Sequence, residues 1–172
     1  TIEHSPAPEL LAALQTLRGR LTCIELCLNS NTLKPSDPAG DPQALDWLKR
    51  VADAVGDAGP AVSVYPHRGS WSERVEDGIR LSRAVARRNI GANFNLVHWK
   101  WVEPDQPLDE LLAQAAPFLK TVTINGLQQD TIVSLAEGDF DVAGFLATLK
   151  RVGYRGRVGL QGYGIGGASR VH

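Results

Sequence analysis

Two histidines stand beside amides and aromatics in this chain, and their spacing is what could do chemistry. In the stretch from Gly91 to Trp101, Asn93 and Asn95 alternate with Phe94 and Leu96, and His98 follows three residues after Asn95. An imidazole can move a proton near neutral pH or ligate a metal. A side-chain amide hydrogen-bonds without carrying charge. Similar groups recur at Tyr65, His67 and Arg68, at Asn125 and at Gln161, with Trp99 and Lys100 next to His98. Plainer roles stand beside these. The histidines could bond only to backbone, and Asn95 and Asn125 could cap the loops that follow them. Trp99 and Trp101 could be packing residues rather than a stacking platform. Arg68 and Lys100 could be solvated, or could receive a phosphate or carboxylate.

The elements that must position these groups follow from periodicity. Ser5 with Pro6 predicts a helix start, carried by Leu10, Ala13, Leu14 and Leu17 and closed by Gly19. Residues 21–28 alternate as a strand, and a polar loop runs from Asn29 to Gly40. Asp41 and Pro42 open a second helix bearing Ala44, Leu45, Leu48, Val51, Ala52 and Val55, before a strand over 61–65. Ser70 and Glu73 read as a capping box for a helix over about 71–88, ahead of a strand over 92–97. Pro107 starts a helix that Pro117 ends. A strand over 120–125, a helix capped by Asp139 or Asp141 and closed by Gly153, and a strand over 157–161 complete the chain. Five helices alternating with five strands imply one domain over residues 1–172, with a parallel sheet covered by helices.

Facing separates an open doubly wound sheet from part of a barrel. One parity of each strand is apolar: Ile24 and Leu26, Val62 and Val64, Phe94 and Leu96, Val122 and Ile124, Val158 and Leu160. The other is small or polar: Cys23, Glu25 and Cys27; Ser63 and Tyr65; Asn93 and Asn95; Thr121, Thr123 and Asn125; Gly159 and Gln161. A sheet covered on both faces would be apolar throughout. One polar face in every strand fits a parallel (β/α) barrel of TIM type, with its site at the C-terminal rim. Five strands cannot close an eight-stranded barrel, so about three N-terminal strands are expected to be missing, or the chain pairs with another copy as a homo-oligomer. Glu25 is the one acid on the polar face, where it either pairs with a basic group or serves as a catalytic carboxylate.

Bulk properties narrow the partners. The chain has 172 residues, 43% of them apolar, and a net charge of -1. No basic excess favours nucleic acid, and no polybasic block or long apolar run favours a membrane. The chain shows no signal-peptide pattern and begins without Met, so no compartment is assigned beyond a cytoplasmic default. Cys23 and Cys27, roughly 13 Å apart along one strand, are too far apart for a disulfide and read as buried thiols.

Three stretches resemble the xylose isomerase-like TIM barrels, the sugar phosphate isomerase/epimerase superfamily that includes endonuclease IV. Ser134 to Asp141, followed by a helix and Gly153-Tyr154-Arg155-Gly156, is similar to that family's Gly-Glu-Gly-x-x-Asp, helix and Gly-Tyr-x-Gly run before the last strand. Asn95 to His98 occupies the place of its Asp-x-x-His, and Tyr65-Pro66-His67 that of its Glu-x-His. The resemblance covers residues 20–165, the C-terminal two-thirds of such a barrel. It implies a divalent metal such as Mn, Mg or Zn, held by carboxylates and a His, that grips sugar oxygens while glutamates move a proton through an enediolate.

The metal positions depart from that pattern. Tyr65, Asn95 and Gln161 stand where carboxylates are expected, and Asn125 falls near an expected His. Hard cations prefer anionic oxygen, so no metal cofactor is expected, with Zn or Ni held only weakly by imidazole. The resemblance then implies an isomerase or epimerase acting on a small-molecule carbohydrate, with a metal-free, non-catalytic carbohydrate-binding barrel as the alternative. In the first reading His67, His98, Lys100 and Glu25 are catalytic, while Tyr65, Arg68, Asn95, Trp99, Asn125 and Gln161 bind substrate. A DNA-repair role would need a rich metal cluster and a phosphate-tracking surface that this charge balance lacks. The glycine-rich run from Gly162 to Gly167 resembles a dinucleotide fingerprint only superficially, though its N–H groups could cradle an anion.

Overall fold

In the computed structural model, which describes residues 1–165, five parallel strands lie side by side in chain order. They are β1 (Cys23–Leu26), β2 (Ala61–Val64), β3 (Ile90–Asn95), β4 (Leu119–Ile124) and, after a short antiparallel hairpin of β5 (Gly126–Gln128) and β6 (Thr131–Val133), β7 (Arg157–Leu160). The order β1-β2-β3-β4-β7 never reverses, so no doubly wound switch point exists. The sheet curls strongly. In a flat sheet β1 and β4, three spacings apart, would be separated by roughly 14 Å. Instead Thr121 Oγ1 donates to Glu25 Oε1 at 2.8 Å, and Arg157 Nη2 reaches the Leu21 carbonyl at 2.7 Å. This is a half-barrel, concave on the polar parity.

Helices cover the convex face: α1 (Pro8–Gln15), α2 (Asp41–Val55), α3 (Val75–Val85), α4 (Leu96–Val102), α5 (Leu108–Ala115) and α6 (Val142–Arg151). None of the described helices is long and apolar enough to cross a membrane. Val62, Val64, Phe94, Val122 and Ile124 are buried beneath them, as the strand parity predicts. On β7 the apolar parity is not covered, with Val158 42% and Leu160 70% exposed. Gly78 lets α3 sit tightly on β3, since a Cβ there would lie 2.9 Å from that of Ala92.

Several local expectations are corrected. α1 begins at Pro8, and Ser5 caps nothing. Asp37, not Asp41, is the capping side chain ahead of α2: it accepts from Ala39 N at 2.9 Å in a short 3-10 turn, Pro38–Gly40. Ser70 and Glu73 do not cap α3. Glu73 instead accepts from Gly69 N at 2.7 Å, and the cap is Asp77, which accepts from Arg74 N at 3.0 Å. The strand expected over 92–97 ends at Asn95, and the chain turns directly into α4. The expected cap at Asp141 is present, accepting from Gly144 N at 2.8 Å. Both cysteines are free; Cys27 is exposed and Cys23 half-buried, against the expectation of two buried thiols. Gly166 and Gly167, the end of the glycine-rich run, lie outside the described residues.

The loop between β2 and α3 carries His67 and is pinned from several sides. Ser72 is fully buried; it exchanges backbone and side-chain hydrogen bonds with Leu28, and its carbonyl accepts from His67 N at 3.1 Å. Trp71 fills the space under Gly40 and donates its indole N–H to the Asp37 carbonyl at 3.0 Å. Asp77, also buried, gathers Ser36 Oγ at 2.6 Å, Arg74 N at 3.0 Å and Arg80 Nη1 at 2.7 Å. Cutting Asp77 back would strand a buried cap and the cation beside it. Asp77→Ala is therefore expected to lower stability by about 3 kcal/mol in a denaturant titration; a loss under about 1 kcal/mol would show that the loop is held without it.

Candidate functional site

The site is assembled at the junction of β3 and α4. Asn95 is completely buried at the strand's last position, and its Oδ1 accepts the His98 backbone N–H at 3.2 Å, capping α4. A backbone N–H can only donate, so this bond fixes which way the amide faces. Nδ2 must then point to the concave side. There it donates to the Tyr65 hydroxyl oxygen at 2.7 Å and to Gln161 Oε1 at 2.8 Å. Residues from β2, β3 and the end of β7 are thereby tied together.

Above this clasp sit the two histidines, with ring centres 4.3 Å apart. The Tyr65 ring lies 5.7 Å from that of His98, edge to face. His98 Nδ1 accepts the Arg68 backbone N–H at 3.2 Å, so its proton resides on Nε2. Burial, and secondarily the neighbouring His67, pulls the His98 pKa down to about 4, which keeps the ring neutral. His67 is exposed, and its Nδ1 lies 2.9 Å from the Arg68 carbonyl. A carbonyl only accepts, so Nδ1 carries a proton, and Nε2 has no hydrogen-bond partner among the described residues. Trp101 stands edge-on to His98 at 5.4 Å, and the Arg68 guanidinium lies 5.9 Å from the Trp101 ring centre, within cation–π range. Burial, then the charges of Glu25 and Cys27, raise the Tyr65 pKa to about 12, so its hydroxyl stays protonated.

Tyr65, His67, Arg68, Asn95, His98 and Gln161 thus come together as the sequence suggested. Four others do not join them. Lys100 lies on the other side of α4, lining a separate cavity of about 430 Å³ with Gln129, Asp130, Asp139 and Phe140. Trp99 is a core residue, packed 6.1 Å from Phe94 and 6.3 Å from Phe140. Asn125 is buried and donates to the Gly126 carbonyl at 2.9 Å. Glu25 sits lower on the concave face; among the described residues it pairs with no basic group, and it accepts from Asn93 Nδ2 at 2.9 Å and Thr121 Oγ1 at 2.8 Å. Two residues outside the expected catalytic and substrate-binding sets reach the site. Trp101, one of the two tryptophans weighed as a stacking platform, takes the wall position assigned to Trp99. Cys27, whose thiol donates to Ser70 Oγ at 3.0 Å, comes close enough to Tyr65 to influence its hydroxyl. Cys27 shares the parity of Glu25, which is the signal that could have found it.

The sequence profile of the xylose isomerase-like TIM barrels matches residues 11–165. The chain belongs to that family. Among solved structures, this xylose isomerase-like barrel is similar to a D-allulose 3-epimerase from Methylomonas sp. in complex with D-allulose, at 19% identity and a TM-score of 0.62, over 81% of this chain and 49% of that one. It is similar to a D-psicose 3-epimerase from Clostridium cellulolyticum H10 with D-tagatose, at 15% identity and a TM-score of 0.68, over 91% of this chain and 58% of that one. An AP endonuclease, family 2, from Brucella melitensis aligns at 21% identity and a TM-score of 0.65, over 80% of this chain and 54% of that one. The chain spans about half the length of these structures. No curated protein matches it in sequence.

The family's divalent metal does not fit the residues present here. Asn95 turns its nitrogen, not its oxygen, into the cleft, and Gln161 offers there only a neutral amide oxygen that already accepts one hydrogen bond. Among the described residues no three His, Cys, Asp or Glu side chains gather to hold an ion.

The state of His98 is measurable. A folded pKa near 4 against 6.5 unfolded means that His98 costs nothing above pH 6.5 and drains stability as pH falls from 6.5 towards 4. The His98 ring resonances are expected to stay constant from about pH 8 to about pH 5 in an NMR titration. A midpoint near 6.5 would contradict the buried, neutral ring.

Proposed function

We propose that this barrel binds a carbohydrate at the C-terminal rim of its strands and moves a proton on it, as an isomerase or epimerase that uses no divalent metal. One observation carries the reading: the amide clasp of Asn95 with Gln161 and Tyr65. Carboxylates at positions 95 and 161, this close, would repel unless a cation or a shared proton stood between them. An amide donating to an amide oxygen needs neither. The clasp keeps shape and hydrogen bonding where the family resemblance expects charge.

The fold and the sugars named in the related epimerase structures support a carbohydrate ligand. The cleft supports proton transfer. His67 offers at the surface an Nε2 with no partner among the described residues, beside a neutral His98 whose Nε2–H can donate. Trp101 with Arg68 forms a wall on which the CH face of a sugar can rest. Lys100 and Trp99, turned away from the cleft, have no part in this account. Glu25 serves as an acceptor deeper on the concave face.

The clasp can be converted and the outcome measured. Asn95→Asp with Gln161→Glu replaces self-sufficient amides by two facing carboxylates. The double variant is expected to bind Mn²⁺ in titration calorimetry at least tenfold more tightly than the unmodified protein, and to gain thermal stability when Mn²⁺ is added. Equal Mn²⁺ affinity in the two proteins would mean that positions 95 and 161 do not occupy the metal-facing places assigned to them.

A further inference from the structure

The far end of α4 holds a second group of buried polar atoms that the proposed reaction does not use. Glu103, at the C-cap of α4, has a side chain only 9% exposed, and its Oε2 meets no donor among the described residues. Glu76, in the first turn of α3, comes within hydrogen-bonding reach of it, and Glu76 Oε2 is likewise buried without a partner. Gln106 Nε2 donates to Glu76 Oε1, and the Gln106 oxygen is also unpartnered. Among the described residues the cation against the pair is Arg74, half exposed, with Nη1 3.5 Å from Glu103 Oε1. Asp77, the other acid nearby, is already engaged by Ser36, the Arg74 N–H and Arg80. Two carboxylates that face each other away from water repel, and each leaves a buried oxygen unsatisfied. One proton between them removes both costs: it cancels a charge and turns two orphan oxygens into a donor and an acceptor.

We infer that Glu103 and Glu76 share one proton and form a pH-sensitive brace that holds the end of α4 against α3, so that losing the proton loosens the wall of the cleft. The proton belongs on Glu103. Glu76 lies at the N-terminus of α3, where backbone N–H groups favour negative charge, and Glu103 lies at the C-terminal end of α4, where backbone carbonyls oppose it. Burial, and then the charge of Glu76, push the Glu103 carboxyl up to about 7, against the pull of Arg74. An unfolded glutamate ionises near 4.5, so the brace contributes in full below pH 4.5 and is lost as pH rises towards 7. His98 acts in the opposite direction, draining stability as pH falls, so the two effects separate only in variants that keep His98. The route to the cleft is short. The Glu103 backbone N–H donates to the Trp99 carbonyl at 2.8 Å in the last turn of α4, and the same turn carries Trp101, the wall beside His98. The brace stands whatever ligand the cleft takes.

Glu103→Gln tests the inference, because an amide donates to Glu76 at any pH. Between about pH 5 and about pH 8 the melting temperature of the unmodified protein is expected to fall by about 5 °C relative to that variant. Glu76→Gln should remove the fall as well, and carries the comparison if Glu103→Gln does not fold. In a ¹³C NMR titration one glutamate carboxyl should show a midpoint near 7 that Glu103→Gln abolishes. The Trp101 indole N–H resonance should shift with the same midpoint in the unmodified protein and not in the variant. A melting-temperature difference that does not change with pH, or no carboxyl midpoint above about 5.5, would overturn the shared proton. An indole shift that survives Glu103→Gln belongs to a histidine and would overturn the link to the cleft. Millimolar Mg²⁺ or Ca²⁺ added at about pH 8 should leave the melting temperature unchanged. Recovery of the low-pH value on adding either cation would assign the orphan oxygens to a metal ion and overturn the proton.

Discussion

A single backbone hydrogen bond orients everything at the rim of this half-barrel. The His98 N–H, at the first turn of α4, donates to the side-chain oxygen of Asn95. That bond ends β3, starts α4 and decides that the Asn95 nitrogen faces the concave side. From this orientation follow the hydrogen bonds of Asn95 Nδ2 to Tyr65 and Gln161. A buried polar group left without a partner costs about 1–3 kcal/mol, so the arrangement has one satisfied solution and holds it. The same cap places His98 so that its Nδ1 meets the Arg68 N–H, which in turn brings the two imidazoles together.

The sheet curvature makes this local device a site. Strands three spacings apart touch through Glu25 and Thr121 on the concave side, so groups from β1, β2, β3 and β7 converge where a flat sheet would hold them apart. The loop after β2 is held by Ser72, Trp71 and Asp77, which fix His67 against the rim. Function in this account depends on a rigid neutral clasp and on the Nε2 of His67, which has no partner among the described residues. Charge is kept at the margin, on Arg68 above Trp101 and on Glu25 below.

Much of this was legible in the sequence. The one-sided polarity of every strand gave the half-barrel, because side chains alternate across a strand and only one face is covered by helices. Tyr65, Asn95, His98 and Gln161 were recognisable because they sit at strand ends on that polar parity. What misled was the junction after Asn95. Leu96 and Val97 read as a continuing strand, and in a strand His98 and Lys100 would share a face. In a helix they lie about 200° apart, which sends Lys100 to another cavity. The same change of period exchanges the tryptophans: Trp101, three residues from His98, joins its face, and Trp99 turns into the core. Asn125 was misplaced for a related reason, since β4 ends at Ile124 and the chain then turns into a hairpin that gave no strong signal. The cap at Asp77 competed with the more conspicuous Ser70 and Glu73, and tertiary bonds from Ser36 and Arg80 decided in its favour.

The chain shares its scaffold with the xylose isomerase-like family, and we propose that its chemistry at the rim is altered. In the proposed reading, amides where carboxylates are expected remove the need for a cation, and the hydrogen bonds of Asn95 to Tyr65 and Gln161 take its place. The central claim is that the clasp is complete without metal. Elemental analysis of the purified protein, expressed in medium supplemented with Mn, Mg and Zn salts, tests it most directly. The account predicts far less than one equivalent of any divalent metal per chain. One tightly held equivalent, lost only together with the folded rim, would contradict it.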